Sequence, residues 1–240
     1  MKKLLFIFVL FLAGFTANAQ SASKLEGNGK IISQTRNTSD YDAIKISGSF
    51  DVDLVTGKEG KIALKGEENL LASVKVEVEG NTLNIYMQKN TSIRTSNGQK
   101  IEVTIPIEKI TDLNLSGSGN IRSKDAIKNE SFSAKLSGSG NFNLNLDTNS
   151  FQLNVSGSGN ANVKGKADNF TTKLSGSGDI DAVNLNAKKV EATVSGSGNS
   201  RVTSTESITA RVSGSGKIKY AGNPEKRDVK VSGSGNISKA

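Results

Sequence analysis

The sequence predicts an all-β protein built as a single-stranded β-helix, or solenoid, with coils of about 19 to 20 residues. The tetrapeptide Ser-Gly-Ser-Gly occurs seven times, with register steps of 21, 19, 19, 20, 18 and 19 residues. Apolar and polar residues alternate on both sides of each copy, which is the period of an extended chain. No sustained 3.6-residue pattern follows Thr111, and each glycine inside a helix would cost roughly 1 kcal/mol. The copies begin at Ser116, Ser137, Ser156, Ser175, Ser195, Ser213 and Ser232.

Residues 1–19 are predicted to be a secretory signal peptide. Lys2 and Lys3 precede an apolar run from Leu4 to Ala13, and Ala17-Asn18-Ala19 supplies small residues for cleavage. The apolar run is too short to span a bilayer, so no transmembrane segment is expected in the mature chain. The predicted location is therefore the periplasm, the outer membrane as a peripheral protein, or the cell surface. Residues 20–39 are expected to be flexible.

Residues 40–110 are predicted to form a β-rich N-terminal region with one helical turn within 67–73. The stretch Ile46-Ser47-Gly48-Ser49-Phe50 echoes the later tetrapeptide. This region is therefore either a degenerate part of the solenoid or a separate subdomain that caps its first coil. The six predicted strands are Ala43–Ile46, Phe50–Val55, Lys61–Lys65, Val74–Glu79, Leu83–Met87 and Ile101–Ile105.

Residues 111–240 are predicted to be the repetitive solenoid, in which stacking aligns equivalent residues of successive coils. The glycines have two structural interpretations: they point inward where no Cβ fits, or they take positive φ at a corner. The aligned serine and asparagine side chains form a polar ladder, which is the candidate binding face. Its residues are Ser116, Ser118, Asn120, Ser137, Ser139, Asn141, Ser156, Ser158, Asn160, Ser175, Ser177, Asp179, Ser195, Ser197 and Asn199.

The net positive charge lies in the repeats. Residues 21–110 carry 12 basic and 12 acidic side chains, whereas residues 111–240 carry 17 basic and 11 acidic ones. A basic face favours an anionic glycan or an envelope surface as partner, although exposed lysines also serve solubility alone. Nucleic acid is not expected as a partner, because aromatic residues for base stacking are scarce outside core positions.

Catalysis is not expected. The sequence has no His and no Cys, which removes Ser-His-Asp and Cys-His nucleophile systems, the usual zinc sites and disulfides. No cofactor or metal site is predicted either, because the Gly-x-Gly fragments lack the remaining residues of a nucleotide-binding loop. A polysaccharide-cleaving β-helix is the remaining enzyme alternative, and Asp179 with Asp181 is a carboxylate pair of the type it would need. Coils of 18 to 21 residues, however, leave little chain for the walls of a cleft.

Four stretches of the sequence carry a family resemblance: Asp40–Val52, Leu83–Ile85, Ile101–Pro106 and Leu113–Ile121. Together they resemble the family described as putative auto-transporter adhesin, head GIN domain, which is common in Bacteroidetes. The resemblance runs from about residue 35 to the C-terminus. It implies an exported all-β protein of β-helix character with an adhesin-like role, and no catalytic residues.

The sequence thus predicts a non-enzymatic interaction module of the cell envelope that binds a glycan or an envelope protein. A purely structural rod is the alternative. Ala240 lies five residues after the last tetrapeptide with no evident cap. An unpaired coil edge is open to pairing, so either a homo-oligomer through the C-terminal coil or a short covering segment is expected.

Overall fold

Residues 23–89 and 91–240 are described by the structure, which is a computed structural model. The predicted signal peptide therefore lies outside the described residues. The first part of the chain contains short strands, one helical turn and a 3₁₀ turn at Ser96–Gly98. These elements are β1 (Ser23–Glu26), β2 (Ile31–Asn37), β3 (Ala43–Ser47), β4 (Asp51–Thr56), β5 (Lys61–Glu67), α1 (Glu68–Leu71), β6 (Val74–Glu79), β7 (Thr82–Met87), β8 (Thr91–Arg94) and β9 (Glu102–Ile107).

The second part is a stack of parallel coils of about 19 residues, so that the molecule is a β-solenoid of about seven turns. This confirms the predicted fold class. Within each long strand the chain bends at a corner, where two consecutive residues such as Asn149 and Ser150 both point outward. The strands are β10 (Asp112–Gly117), β11 (Asn120–Ser123), β12 (Ile127–Gly138), β13 (Asn141–Gly157), β14 (Asn160–Gly176), β15 (Asp179–Gly196), β16 (Asn199–Gly214), β17 (Lys217–Ala221), β18 (Lys226–Ser232) and β19 (Asn236–Lys239).

Register between coils follows the sequence period. Phe132 pairs with Phe151, and Phe151 pairs with Phe170 on the next coil. Their rings stack in the core with centroids 5.8 and 5.3 Å apart and planes within 11° and 5° of each other. The coil that is one residue longer absorbs the extra residue as a bulge, because Asn162 pairs with Asp181 but Lys164 pairs with Asn184.

The two glycines of each tetrapeptide have different structural roles, so both interpretations of them occur. The first takes a left-handed conformation, as at Gly157 with φ +107°. The second is buried: a Cβ on Gly159 would lie 2.6 Å from the carbonyl oxygen of Gly140 and 2.8 Å from Cδ2 of Leu136. Neighbouring coils approach too closely at this corner for any side chain.

The N-terminal region continues the solenoid. Strands β3 and β4 flank Gly48, whose φ is +137°, and stack in parallel on β10 and β11. Ile44 pairs with Leu113, and Val52 pairs with Ile121, so the apolar columns pass from one region into the other. Strands β7 and β9 add one more parallel layer on the far side of β3 and β4. The β3–β4 layer is therefore enclosed between segments that follow it in sequence.

Antiparallel strands cover the end of the stack. Strand β6 pairs antiparallel with β7, β5 pairs antiparallel with β9, and β2 pairs antiparallel with β5. We call β2, β5, β6 and α1 the N-terminal cap. The prediction of a flexible segment at 20–39 is wrong for its described part, which contains β1 and β2. Backbone pairing with β8 and β5 orders these residues. The predicted helical turn is present as α1.

A buried carboxylate joins the cap to the segments beside it. Glu67, at the end of β5, is 1% exposed. It accepts hydrogen bonds from the backbone N–H of Gly29 at 3.0 Å and of Ser96 at 2.7 Å, and from the Ser96 hydroxyl at 2.9 Å. The bond from Gly29, opposed by burial and supported by Ser96, holds the pKa of Glu67 below its ordinary value.

Candidate binding surfaces

Two rows of serine side chains run along the tetrapeptide corner. Register places Ser116 beside Ser137, Ser137 beside Ser156, and so on along the stack. All of these serines are exposed, and among the described residues none of their hydroxyls bonds to another side chain or to the backbone. Each hydroxyl is thus available as both donor and acceptor to an external ligand. The predicted members are Ser116, Ser118, Ser137, Ser139, Ser156, Ser158, Ser175, Ser177, Ser195 and Ser197.

The predicted asparagine positions also align, and here the side chains bond to one another. Nδ2 of Asn141 donates to Oδ1 of Asn120 at 2.7 Å, and Nδ2 of Asn160 donates to Oδ1 of Asn141 at 3.2 Å. Oδ1 of Asn160 then accepts from the backbone N–H of Asp179 at 3.1 Å. Asn199 completes the row, with Nδ2 2.9 Å from Oδ1 of Asp179. This row stabilises coil against coil as well as presenting amides to solvent.

We call the side of the solenoid that follows the tetrapeptide corner the asparagine face, comprising residues 51–56, 120–123, 141–148, 160–167, 179–187, 199–205 and 217–221. Most of its charged groups near the cap are paired. Arg122 lies 2.8 Å and Lys124 3.1 Å from the Asp53 carboxylate. Partial burial works to raise the pKa of Asp53, but hydrogen bonds from Arg122 and Lys124 outweigh it and keep the pKa low. Lys100 pairs with Asp51 at 3.2 Å.

The carboxylate pair considered for glycoside cleavage lies on this same face. Asp179 belongs to the asparagine row, and Asp181 lies 3.4 Å from Arg201 and accepts from the backbone N–H of Val183 at 3.3 Å. Both carboxylates therefore have partners within the coil stack. They border a depression of about 420 Å³ that is formed by side chains of successive coils.

The opposite side of the solenoid, which precedes the tetrapeptide corner, we call the lysine face: residues 43–47, 112–116, 131–137, 150–156, 169–175, 189–195, 207–213 and 226–232. One column on this face alternates cation and amide. Its members in spatial order are Lys45, Asn114, Lys135, Asn154 and Lys173. The three lysines are exposed, and the two asparagines are half-buried. Among the described residues, none of the three lysines forms an ion pair.

This lysine row was not predicted from the sequence, although a signal for it exists. Lys135 and Lys173 stand two residues before a tetrapeptide, as Asn114 and Asn154 do in the intervening copies. Lys45 stands two residues before the degenerate copy at Ser47. Comparing this single position across copies would have revealed the alternation.

No group of three or more Asp, Glu, His or Cys side chains is placed to hold a metal ion within residues 23–89 and 91–240. Over the same residues, no helix has the length and apolar character to cross a membrane.

A solenoid with polar side chains in register along its corner and faces defines a class of repetitive surface-presenting proteins. The chain belongs to the family described as "Putative auto-transporter adhesin, head GIN domain", whose model matches residues 40–224. This confirms the resemblance found in the sequence. The family description names an adhesin and not an enzyme.

Solved structures from related bacteria have the same fold. A "putative adhesin" from Bacteroides fragilis is 27% identical, with a TM-score of 0.83, over 90% of this chain and 100% of that chain. A "putative lipid binding protein" from Parabacteroides distasonis is 26% identical, with a TM-score of 0.75, over 91% of this chain and 100% of that one. A "putative adhesin" from Parabacteroides merdae is 22% identical, with a TM-score of 0.68, over 91% and 100%. None of the curated proteins matches the sequence.

Proposed function

We propose that this protein is an exported, non-enzymatic module of the cell envelope that binds a glycan or another envelope protein in the manner of an adhesin. The observation that carries the proposal is the double row of exposed serine hydroxyls, which have no protein partner among the described residues. A regular array of free hydroxyls about 4.8 Å apart matches a ligand with regularly spaced polar groups. The family and the Bacteroides fragilis relative support an adhesin-like role.

Export is part of the proposal and rests on the basic, apolar and small-residue order of residues 1–19. The mature chain would then reside in the periplasm, at the outer membrane or on the cell surface.

A structural rod is the alternative, and the asparagine row favours it. Hydrogen bonds from Asn141 to Asn120 and from Asn160 to Asn141 stabilise the stack whether or not a ligand binds. The serine rows distinguish the two functions, because free hydroxyls contribute little to a rod.

The test measures retention of the mature chain on a glycan array and on envelope fractions at low ionic strength. A Ser137→Ala, Ser156→Ala double variant is expected to lose retention. Ser131→Ala with Ser150→Ala is the matched control, because it removes two hydroxyls from the other corner of the same coils. Retention of neither the wild type nor the control would favour the rod, and release of sugars from any polysaccharide would revive the enzyme alternative.

Self-association through the C-terminal coil is a second part of the proposal. Strand β18 is exposed along its whole length, and Val229 and Val231 are 49% and 41% exposed. Among the described residues, no strand pairs with the outer side of β18 or β19. Sedimentation at high concentration should show a dimer that Val229→Lys reduces to a monomer, whereas a wild-type monomer would remove this part.

A further inference from the structure

We propose that the lysine row is a binding track for a linear acidic polysaccharide that carries one carboxylate on every second sugar and lies along the solenoid axis. This inference rests on the proposed function, and it specifies the ligand class and the face that binds it.

The spacing of the row is the first argument. Successive lysines are two coils apart, because Asn114 separates Lys45 from Lys135, and Asn154 separates Lys135 from Lys173. Coils rise by about 4.8 Å, which places the three ammonium groups about 10 Å apart in a straight line. One coil rise is comparable to the advance of one pyranose in an extended glycan. Two coils therefore match a disaccharide repeat with one charge per repeat.

The electrostatic state of the row is the second argument. On the asparagine face Arg122, Lys124 and Arg201 pair with aspartates of the same face. On the lysine face Lys135 and Lys173 are exposed, and no acidic side chain lies within ion-pair distance of either among the described residues. Unpaired ammonium groups in a row leave a linear positive potential that an anionic polymer can neutralise.

The surroundings of the row are suited to a sugar chain. The neighbouring column carries Ser133, Gln152 and Thr171 next to the central part of the row, and these side chains are uncharged. Towards the corner, the column of Ser116, Ser137, Ser156 and Ser175 supplies exposed hydroxyls for sugar hydroxyl groups. Ammonium groups thus meet the carboxylates while amides and hydroxyls meet the neutral sugars between them.

Acidic side chains set the length of the track. Beyond Lys45 the column continues to Asn84, which pairs with Glu77 on β6. Beyond Lys173 it continues to Thr193, which follows Glu191 by two residues on the same face. Arg211, on the coil after that, is bonded to Asp228. The unpaired part from Lys45 to Lys173 spans four coil steps, or about 19 Å, which accommodates roughly four sugars.

A polysaccharide fits this surface better than a membrane. Exposed large apolar side chains among the described residues are Ile31, Val229 and Val231, and none of these lies beside the lysine row. A surface that binds a bilayer ordinarily adds apolar side chains that enter the headgroup boundary. A flat, polar, linear array instead matches a linear ligand, whose charges bind together when their spacing equals that of the site.

The test uses the mature chain and hyaluronan, in which a carboxylate-bearing sugar alternates with a neutral one. Lys45→Gln, Lys135→Gln, Lys173→Gln is expected to weaken binding at least about tenfold. The matched control Lys164→Gln, Lys217→Gln, Lys219→Gln removes the same charge from exposed lysines of the asparagine face and is expected to change binding by less than about twofold. Equal losses in both variants would overturn the track, because diffuse charge would then explain binding.

A register variant tests spacing without changing composition. Lys135→Asn with Asn154→Lys keeps the net charge but moves the central cation by one coil, and it is expected to weaken hyaluronan binding as the triple variant does. Unchanged binding overturns the spacing argument. Circular dichroism confirms that each variant is folded.

Other ligands separate this inference from the proposed function. Retention on envelope glycans that survives the lysine triple variant would overturn the track and leave the proposed function intact. Loss of all glycan retention in the wild type would remove both. Tighter binding to phosphatidylglycerol vesicles than to hyaluronan would overturn the polysaccharide assignment in favour of an anionic membrane.

Discussion

The regular coils and the N-terminal cap use the same strand chemistry but are held together differently. In the coils, one set of contacts recurs at every step: a glycine corner, stacked apolar columns and the asparagine row. In the cap, the antiparallel pairing of β2 with β5 and the carboxylate of Glu67 each occur once. Repetition shares stability among neighbours, whereas the cap depends on individual contacts. The predictions below test this difference, from the largest expected effect to the smallest.

Removing a stacked ring should have the largest effect. Phe151→Ala leaves a cavity between Phe132 and Phe170 and is expected to lower the free energy of unfolding by about 4 kcal/mol. Phe142→Ala, in the same strand, removes a buried ring that stacks on no other described ring and should cost about 1 kcal/mol less. Urea denaturation monitored by circular dichroism measures both. Equal losses would show that stacking adds nothing to burial.

A methyl group at a glycine corner distinguishes the two regions next. Gly178→Ala places a Cβ 1.9 Å from the carbonyl oxygen of Gly159, so we expect a loss of about 3 kcal/mol or more. Gly80→Ala is the matched change in the β6–β7 hairpin, where no atom lies within 4 Å of the new Cβ. Its cost should be about 1 to 2 kcal/mol, from the left-handed backbone alone. The repetitive region would not be the tighter one if the hairpin variant were the less stable.

Breaking the asparagine row should have a smaller effect. Asn141→Ala removes hydrogen bonds to Asn120 and from Asn160 and should cost about 1 kcal/mol. Asn143→Ala, two residues along the same face, removes no side-chain hydrogen bond and should be close to neutral. Thermal melts of the two variants are directly comparable. A neutral Asn141→Ala would mean that solvent replaces the row without cost.

The cap should respond to pH through Glu67. Because its pKa is lower in the folded than in the unfolded state, its stabilisation is present above the ordinary carboxyl range and is lost as pH falls through the folded value. Glu67→Gln is therefore expected to destabilise the cap at neutral pH and to differ little from wild type in acid. Thermal unfolding at several pH values measures the difference. A gap that stays constant from neutral to acid pH would contradict this role.

Sequence reasoning predicted most of the fold because its two signals are local. Alternation and turn residues placed the strand at Val74–Glu79 correctly and those of 43–46 and 50–55 within one residue at each end. Strand β2 was missed because its residues alternate only between exposed and half-buried positions. Its place is set by antiparallel contact with β5, which no local pattern encodes. The antiparallel cover of the stack was missed for the same reason.

The candidate surfaces were predicted in part for a related reason. A fixed period aligns Ser116 with Ser137 and Asn120 with Asn141, so the ladders follow directly from the repeat. The lysine row additionally requires that Lys45 lie beside Asn114, 69 residues later, which depends on the irregular N-terminal region joining the stack in register. The binding role of either surface depends on a ligand that the chain itself does not specify.

The enclosed position of β3 and β4 has a consequence for biogenesis. Their layer requires β7 and β9 on one side, so a nascent chain emerging from its amino end cannot finish this starter unit before Ile107 has appeared. Every later turn then docks on a completed template through contacts about 19 residues apart. We expect truncation after Gly157 to leave a folded product and truncation after Glu79 to leave none, as limited proteolysis would show. Growth is thus directional, and the order of synthesis is also the order of assembly.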